Sequence, residues 1–484
     1  MFDRLGRLFR AWMGFFISMG EDPEVMLQDA IEEMRMTMPK LNSVLIATRA
    51  TVIRLEEERD ALRRQDKNLS NAIQAALRDG TADRRCVFEV FTRRLPEGRR
   101  YGVVAGTGRL LDAIPHFHYG DEQLARLRDN GVLDTATCDY LANYWFVGNI
   151  SGYTEGEVFF PGSPVLTVEG TFAEAVLLET LTLSILNHDS AVASAAARMA
   201  YAAGDRPCIE MGSRRTHEEA AVAAARAAYL AGFATTSNLG AGKRYGVPTA
   251  GTAAHSWTLL HEKEADAFRA QVDALGVGTT LLVDTYDIAA GIRTAIEVAG
   301  PDLGAIRIDS GDLAVLAHQA RAQLDELGAT RTRIVLSGDL DEYALATLAT
   351  APVDAYGVGT SVVTGSGAPT AGFVYKLVEV DGRAVAKRSE DKVSHGGRKT
   401  AVRRHRASGT ATEEVVHSQG APAPRDGDRA LQVPIVRNGE PLTVPTLDES
   451  RAHLKTVLTT LPWRGLSLSR GEPAIPTTYE EPHA

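Results

Sequence analysis

Cysteine is scarce in this chain: 484 residues hold three, Cys86, Cys138 and Cys208, far apart and without a CxxC. Neither a disulfide framework nor a zinc knuckle is suggested, and a reducing cytoplasm suits such a sequence. Long apolar runs are missing as well. None approaches the ~20 residues that cross a bilayer. The basic, aromatic N-terminus lacks a small-residue cleavage site, so no secretory signal peptide is expected. Positive charge is in deficit: 52 Lys and Arg against 62 Asp and Glu leave a net charge of −10. That balance argues against bulk nucleic-acid binding and still leaves room for local basic patches. What the chain has is apolar mass. With 44% hydrophobic residues it can build a sizeable core, and its length suits two or three domains.

The first twenty residues place Phe2, Leu5, Leu8, Phe9, Trp12, Phe15, Phe16 and Met19 at helical spacing, with Arg4, Arg7 and Arg10 in a basic row. Such a helix suits an anionic membrane surface or a docking face on protein, and both readings stand. Asp22-Pro23 starts a second helix, an N-cap followed by proline at the first helical position. Leu27, Ile31, Met34, Met38, Leu41, Leu45, Val52, Leu55 and Leu62 then step by four and three as a coiled-coil seam. Thr48 and Arg59 interrupt it, and Pro39 kinks it.

From residue 81 the pattern changes. VFEVFTRRLPEGRRYGVVAG alternates β-formers with polar residues and turns at Leu95–Gly98, a hairpin signal. Arg93, Arg94, Arg99 and Arg100 there form either a basic rim for phosphate or a solvated surface. GEVFFPGSPVLTVEG reads as two short strands joined by Pro-Gly, and a long helix follows from FAEAVLLETLTLSILNHD onward. Glu179, Asn187 and His188 on it are assigned to packing and subunit contact.

Residues 208–260 hold the densest chemistry. Arg214 and Arg215 follow Gly212, and paired guanidiniums beside a permissive backbone suit bidentate capture of a carboxylate or phosphate. Thr236, Ser237 and Asn238 come next, then GTAAHSW, which sets His255 just beyond a strand, where βα loops hold catalytic groups. Each piece alone has a plainer reading: surface arginines, a structural histidine. Four further segments, TTLLVDTYD, AIRIDSGD, RIVLSGDLD and VDAYGVGT, run from aliphatic stretches into acids or glycines, as βα units of a barrel do. Any single Asp among them also suits a helix N-cap. After Val378 the chain reads as hairpins joined by a basic loop, with Lys387, Arg388 and Lys399 near phosphate. Residues 408–428 read as loop, and the tail as a surface strap.

Two resemblances follow from these residues. The amphipathic start, the seam and EDPEVMLQDAIEEM are similar to the phage-shock-protein A and plastid vesicle-inducing family, whose members are membrane-associated helical proteins that polymerise. From about Thr81 onward FEVFTRRLPEGRRYGVVAGTGRLL, LETLTLSILNHDSAVASAAARM, MGSRRTHEEA, TSNLGAGKRYGVPTAGTAAHSW, LLVDTYDIAAGI, IRIDSGDL and GVGTSVVT resemble the nicotinate phosphoribosyltransferase family. The joint is expected near residues 75–80, as a fusion. The implied fold is an α/β type II phosphoribosyltransferase: a β-rich entrance part (81–170), an irregular α/β barrel (171–375) and a β-rich or irregular end (376–484). Amphipathic and coiled-coil-like helices (1–80) precede it.

The resemblance also implies roles. Arg214, with Arg215 and Gly212, takes the nicotinate carboxylate or a diphosphate, and Thr236 and Asn238 face ribose or phosphate. Asp284 orients His255, which is phosphorylated by ATP. Arg307 and Asp309 contact the phosphoribosyl group beside Ser310, Gly311 and Asp312. Gly338 and Asp339 continue that lining, and Gly357, Gly359 and Thr360 take the 5′-phosphate. The implied cofactors are ATP and Mg²⁺, with no dedicated protein metal site. The implied partners are nicotinate, 5-phosphoribosyl-1-diphosphate and a second subunit, with an anionic membrane for residues 1–20 and no nucleic acid. The implied location is the cytoplasm, touching the inner membrane face.

Family members carry TDxYxLTM near the start, its tyrosine stacking on the base in the neighbouring subunit. Here Leu69–Ile73 stands in its place and Met211 replaces a frequent phenylalanine, so a weakened grip on the ring is expected. Losing a stacking ring costs ~1 kcal/mol. Two other readings stay open: a polymerising membrane scaffold with the enzyme domain as passive cargo, and a sibling enzyme using nicotinamide or quinolinate.

Overall fold

The computed structural model describes residues 67–387, 395–418 and 425–480. The amphipathic helix, the coiled-coil seam and Arg388 therefore lie outside the described residues. Residues 65–119 and 124–484 form one compact unit, and the other unit, 1–64 with 120–123, falls almost wholly outside them.

The helix Lys67–Asp79 opens the described chain. Its Ile73 is fully buried and Ala76 nearly so, in a core shared with Phe88, Leu110, Leu141 and Leu178. The stretch standing where family members carry their tyrosine segment is thus a helix packed on the enzyme body.

One seven-stranded sheet gathers segments from both ends of the sequence. The strand Arg85–Thr92 lies between Leu166–Thr171 and Phe373–Val380, antiparallel to both, and Asn149–Tyr153 and Gln432–Arg437 extend the sheet. The β-rich stretches on either side of the barrel segment therefore share a sheet. The hairpin expected at Leu95–Gly98 does not form. The chain does turn there, with Gly98 at φ 76°. Gly102–Val103, however, pairs with Val158–Phe159 in a separate two-stranded sheet. Alternation identifies a strand but says nothing about its partner. The Pro-Gly stretch does join two strands, Val158–Phe159 and Leu166–Thr171, which sit in different sheets.

The helix Phe172–Ala203 has 32 residues, about 48 Å at 1.5 Å per residue. Thr171 and Glu174 start it with a reciprocal capping box. A helix apolar nearly all round must be enclosed, and this one is enclosed by two cores in succession. Residues from Ala173 to Leu186 pack under the seven-stranded sheet, and those from Val192 to Ala203 pack against the barrel strands. Its alanines let neighbours approach closely. Asn187 ties it sideways, accepting from the Phe373 N–H (2.8 Å) and donating to the Phe373 carbonyl (3.2 Å).

The third layer is a six-stranded, all-parallel sheet in the order Thr235–Thr236, Cys208–Glu210, Ala355–Val358, Arg333–Leu336, Ala305–Ile308, Thr280–Leu282. A helix follows each strand, as right-handed crossovers require. This confirms the curled α/β barrel layer. Parallel strands put all their C-terminal ends on one side, and that geometry builds the site.

Residues 408–428, expected as loop, contain the strand Ala411–Ser418, which pairs with Lys399–His405 and with the tail strand Thr477–Glu480. TEEVVH carries three β-branched residues, Thr412, Val415 and Val416, a signal outweighed in the sequence by the flanking Pro and Gly. The tail strap is real and takes the form of that last strand.

Candidate active site

Five of the six barrel strands end in loops that line one cavity of about 490 Å³, and the sixth strand, Thr280–Leu282, contributes its last residue, Leu282. The first loop supplies Met211, Ser213, Arg214 and Arg215, and the second supplies Ser237. The irregular stretch before the helix His255–Leu259 adds Gly251 to His255. Arg307 and Asp309 come from the Ala305–Ile308 strand end, Ser337, Gly338 and Asp339 from the next, and Gly357, Gly359 and Thr360 from the last.

His255 sits at the rim with its side chain 41% exposed, and its Nε2 lies 3.0 Å from Oδ1 of the nearly inaccessible Asp284. A carboxylate accepts, so Nε2 donates to Asp284 and Nδ1 is the ring nitrogen that this bond leaves unused. The other oxygen of Asp284 accepts from the Asp309 N–H and the Ser310 hydroxyl, both at 2.9 Å. Asp284 thus fixes the imidazole and the next loop together.

Arg307 is held by three partners: Ser337 Oγ (2.7 Å), Thr252 Oγ1 (2.8 Å) and Asp309 Oδ1 (2.6 Å). Ser337 also donates to Asp309. Burial by itself raises the Asp309 carboxyl, but the Ser337 hydroxyl and the Arg307 charge outweigh it and hold the group below its ordinary range. Asp309 is therefore anionic at neutral pH. Arg214 and Arg215 are exposed to the cavity, and among the described residues neither has a carboxylate partner. Two unneutralised guanidiniums across from an anchored Asp–Arg pair make a receptor for an anion.

Beneath the arginine turn lies Glu210, 1% exposed. It accepts from the Thr236 hydroxyl (2.5 Å) and from the Gly212 N–H. Burial pushes its carboxyl above the ordinary range, with those two donors opposing. Gly212 is required here, because a Cβ would meet Val363 at 2.2 Å. Gly338 is required as well, at φ +127° with the Asp309 carbonyl 2.9 Å from where its Cβ would be.

The remaining expected residues support the cavity without lining it. Thr236 serves Glu210. Asn238 caps the helix Leu239–Tyr245 and donates to Ser213 Oγ at 3.0 Å. Asp312 caps the helix Leu313–Glu326, as Asp287 and Asp341 cap theirs, and Gly311 turns the chain at φ +93°. Asp309 and Asp339 face the cavity. Glu210, Thr252 and Ser337 were not singled out in the sequence, though the last two lie inside segments quoted above. Two expectations fail. Arg99 is no rim residue: it is buried, donating to the carbonyls of Ser194 and Gly365. Lys399 is buried against Glu89 at 2.7 Å, so of Lys387, Arg388 and Lys399, Lys387 is the one described and exposed.

Comparison with known proteins agrees with this arrangement. Residues 69–187 match the nicotinate phosphoribosyltransferase N-terminal domain, and residues 207–411 match the nicotinate phosphoribosyltransferase family. Residues 1–126 match the PspA/IM30 family. The strand Arg85–Thr92, inside that last overlap, belongs to the seven-stranded sheet. The chain is 62% identical over 421 residues to nicotinate phosphoribosyltransferase pncB1 of Mycobacterium tuberculosis, covering 85% of this chain and 94% of that protein. It is 38% identical over 348 residues to the Bacillus subtilis nicotinate phosphoribosyltransferase, covering 69% and 71%. Among solved structures, human nicotinic acid phosphoribosyltransferase superposes with a TM-score of 0.74 at 26% identity, covering 86% of this chain and 97% of that one. A nicotinate-nucleotide pyrophosphorylase from Pyrococcus furiosus gives 0.68 at 25%, covering 84% and 95%.

Proposed function

The chain belongs to the nicotinate phosphoribosyltransferase family, and we propose that it joins nicotinate to 5-phosphoribosyl-1-diphosphate, giving nicotinate mononucleotide and diphosphate for NAD salvage. One observation carries the reading: His255, paired with Asp284, shares a cavity with the free Arg214 and Arg215 and the anchored Arg307–Asp309 pair.

The pyridine nitrogen attacks the anomeric carbon as the bond to diphosphate breaks. Positive charge grows on the sugar and negative charge on the leaving group. Asp309, kept anionic, faces the first, and Arg214 and Arg215 meet the second or the nicotinate carboxylate. Gly357, Gly359 and Thr360 offer N–H groups and a hydroxyl to the 5′-phosphate. The free Nδ1 of His255 is the nucleophile toward the terminal phosphorus of ATP. ADP departs, and later hydrolysis of the phosphohistidine releases phosphate.

Mg²⁺ fits these residues as a substrate-borne ion. Among the described residues no cluster of three acidic, His or Cys side chains forms a metal cage. Asp309 and Asp339 reach the cavity, and Mg²⁺ characteristically keeps its waters and uses one or two carboxylates with substrate phosphates. When bound it screens the diphosphate charge.

The test is nicotinate mononucleotide formation with and without ATP. His255→Ala is expected to lose ATP hydrolysis and ATP stimulation while keeping a slow ATP-independent transfer. Retained stimulation would remove His255 from this role. Nicotinamide and quinolinate offered in place of nicotinate decide the base. The assembly we propose is a cytoplasmic homodimer whose residues 1–20 contact anionic membrane. Light scattering showing a monomer, or a failure of the full chain to sediment with anionic vesicles, would refute each part in turn.

A further inference from the structure

The hydrogen bonds around the cavity close into a ring. His255 is bound to Asp284, Asp284 to the Asp309 backbone, Asp309 to Arg307, and Arg307 to Thr252. Thr252 lies three residues before His255, on the same irregular stretch. That stretch is therefore tied to the sheet at both ends, at 255 through a carboxylate and at 252 through a guanidinium. We infer that Thr252 is a positioning residue that couples the phosphorylation state of His255 to the aim of Arg307. The inference rests on the function proposed above and adds the route by which ATP acts.

The physical reason lies in what each end feels. A phosphoryl group on Nδ1 brings negative charge beside the carboxylates of Asp284 and Asp309. Like charges at this range disrupt the contacts they share. The imidazole can move only with its loop, and the loop carries Thr252. Arg307 spends three donors on three loops, Thr252 among them, so a shift at Thr252 frees or redirects one arm of the guanidinium toward substrate. Both sites then act on one short stretch of chain, through which a change at one can reach the other.

The experiment measures initial rates of nicotinate mononucleotide formation by the full chain with and without ATP, for wild type, Thr252→Val and Thr252→Ser. Valine keeps the shape and removes the hydroxyl, while serine keeps the hydroxyl. The expected result is a stimulation factor at least fivefold lower in Thr252→Val and within twofold of wild type in Thr252→Ser. Thr252→Ala carries the same expectation as valine should that variant fail to fold. An undiminished factor in Thr252→Val overturns the coupling alone. So does a serine variant as poor as valine, which would make Thr252 a steric prop. A wild type that ATP does not stimulate overturns the ATP-coupled step proposed above, and this inference with it, while a wild type that forms no nicotinate mononucleotide overturns the proposed function itself.

Discussion

Among the described residues the carboxyl of Glu210 touches no other charge, and it lies under the turn that presents Arg214 and Arg215. Glu210→Gln keeps an acceptor for the Gly212 N–H, but its NH2 then faces Thr236 Oγ1, whose own proton loses its buried acceptor, a loss worth ~1–3 kcal/mol. The expected outcome is a rise of about tenfold in KM for nicotinate and 5-phosphoribosyl-1-diphosphate, ~1.4 kcal/mol, with kcat less affected; steady-state kinetics check it. Arg214, His255 and Asp309 were legible as cavity residues because they stand in long motifs, although each alone had a plainer reading. Glu210, Thr252 and Ser337 were not. Each acts through a partner 26 to 55 positions away, and nothing local distinguishes such a glutamate or hydroxyl from any other.

Among elements, the barrel strands were readable because each ends in a repeated device. Asp284 and Asp287, and likewise Asp309 and Asp312, divide the work: the first acid of each pair serves the site and the second caps the following helix. The helix-cap alternative posed for these acids thus holds for Asp312, with Asp287 alike, while Asp284 and Asp309 bond with His255 and Arg307 instead. Strand pairing was far less readable. Arg85–Thr92 finds Phe373–Val380 almost three hundred residues later, and local alternation carries no trace of that choice. The long helix was legible, though its cap was not singled out. Thr171→Ala removes the acceptor for the Glu174 N–H and is expected to cost about 1 kcal/mol. The check is a lower thermal midpoint with kinetic constants unchanged.

At the scale of the molecule, distant segments are joined by buried charge. Arg403, wholly inaccessible, donates to Glu157, to Glu414 and to the Val158 carbonyl, while Arg429 and His453 reach the other side of Glu157. Arg403→Met leaves two carboxylates without their shared cation, a loss of about 3–5 kcal/mol, seen as a lower midpoint of urea unfolding. The pH response has a definite sign. Burial favours the neutral Glu157 acid, but Arg403, His453 and Arg429 outweigh it and depress the carboxyl well below its ordinary 4.5. On acidification the unfolded chain takes up the proton first. Stability present above about pH 4.5 therefore falls as the pH drops toward the folded value. Thermal midpoints at pH 7 and pH 4 should show that decline in wild type, and a smaller one in Arg403→Met.

One rod threads both interiors: the front half of Phe172–Ala203 is walled by the large antiparallel sheet and the rear half by the barrel strands. Neither interior can melt while leaving the other whole, since half a helix would be stripped bare in the attempt. Heating should therefore break the enzyme in a single step, and a protease should find no stable fragment that keeps the barrel and discards the rest.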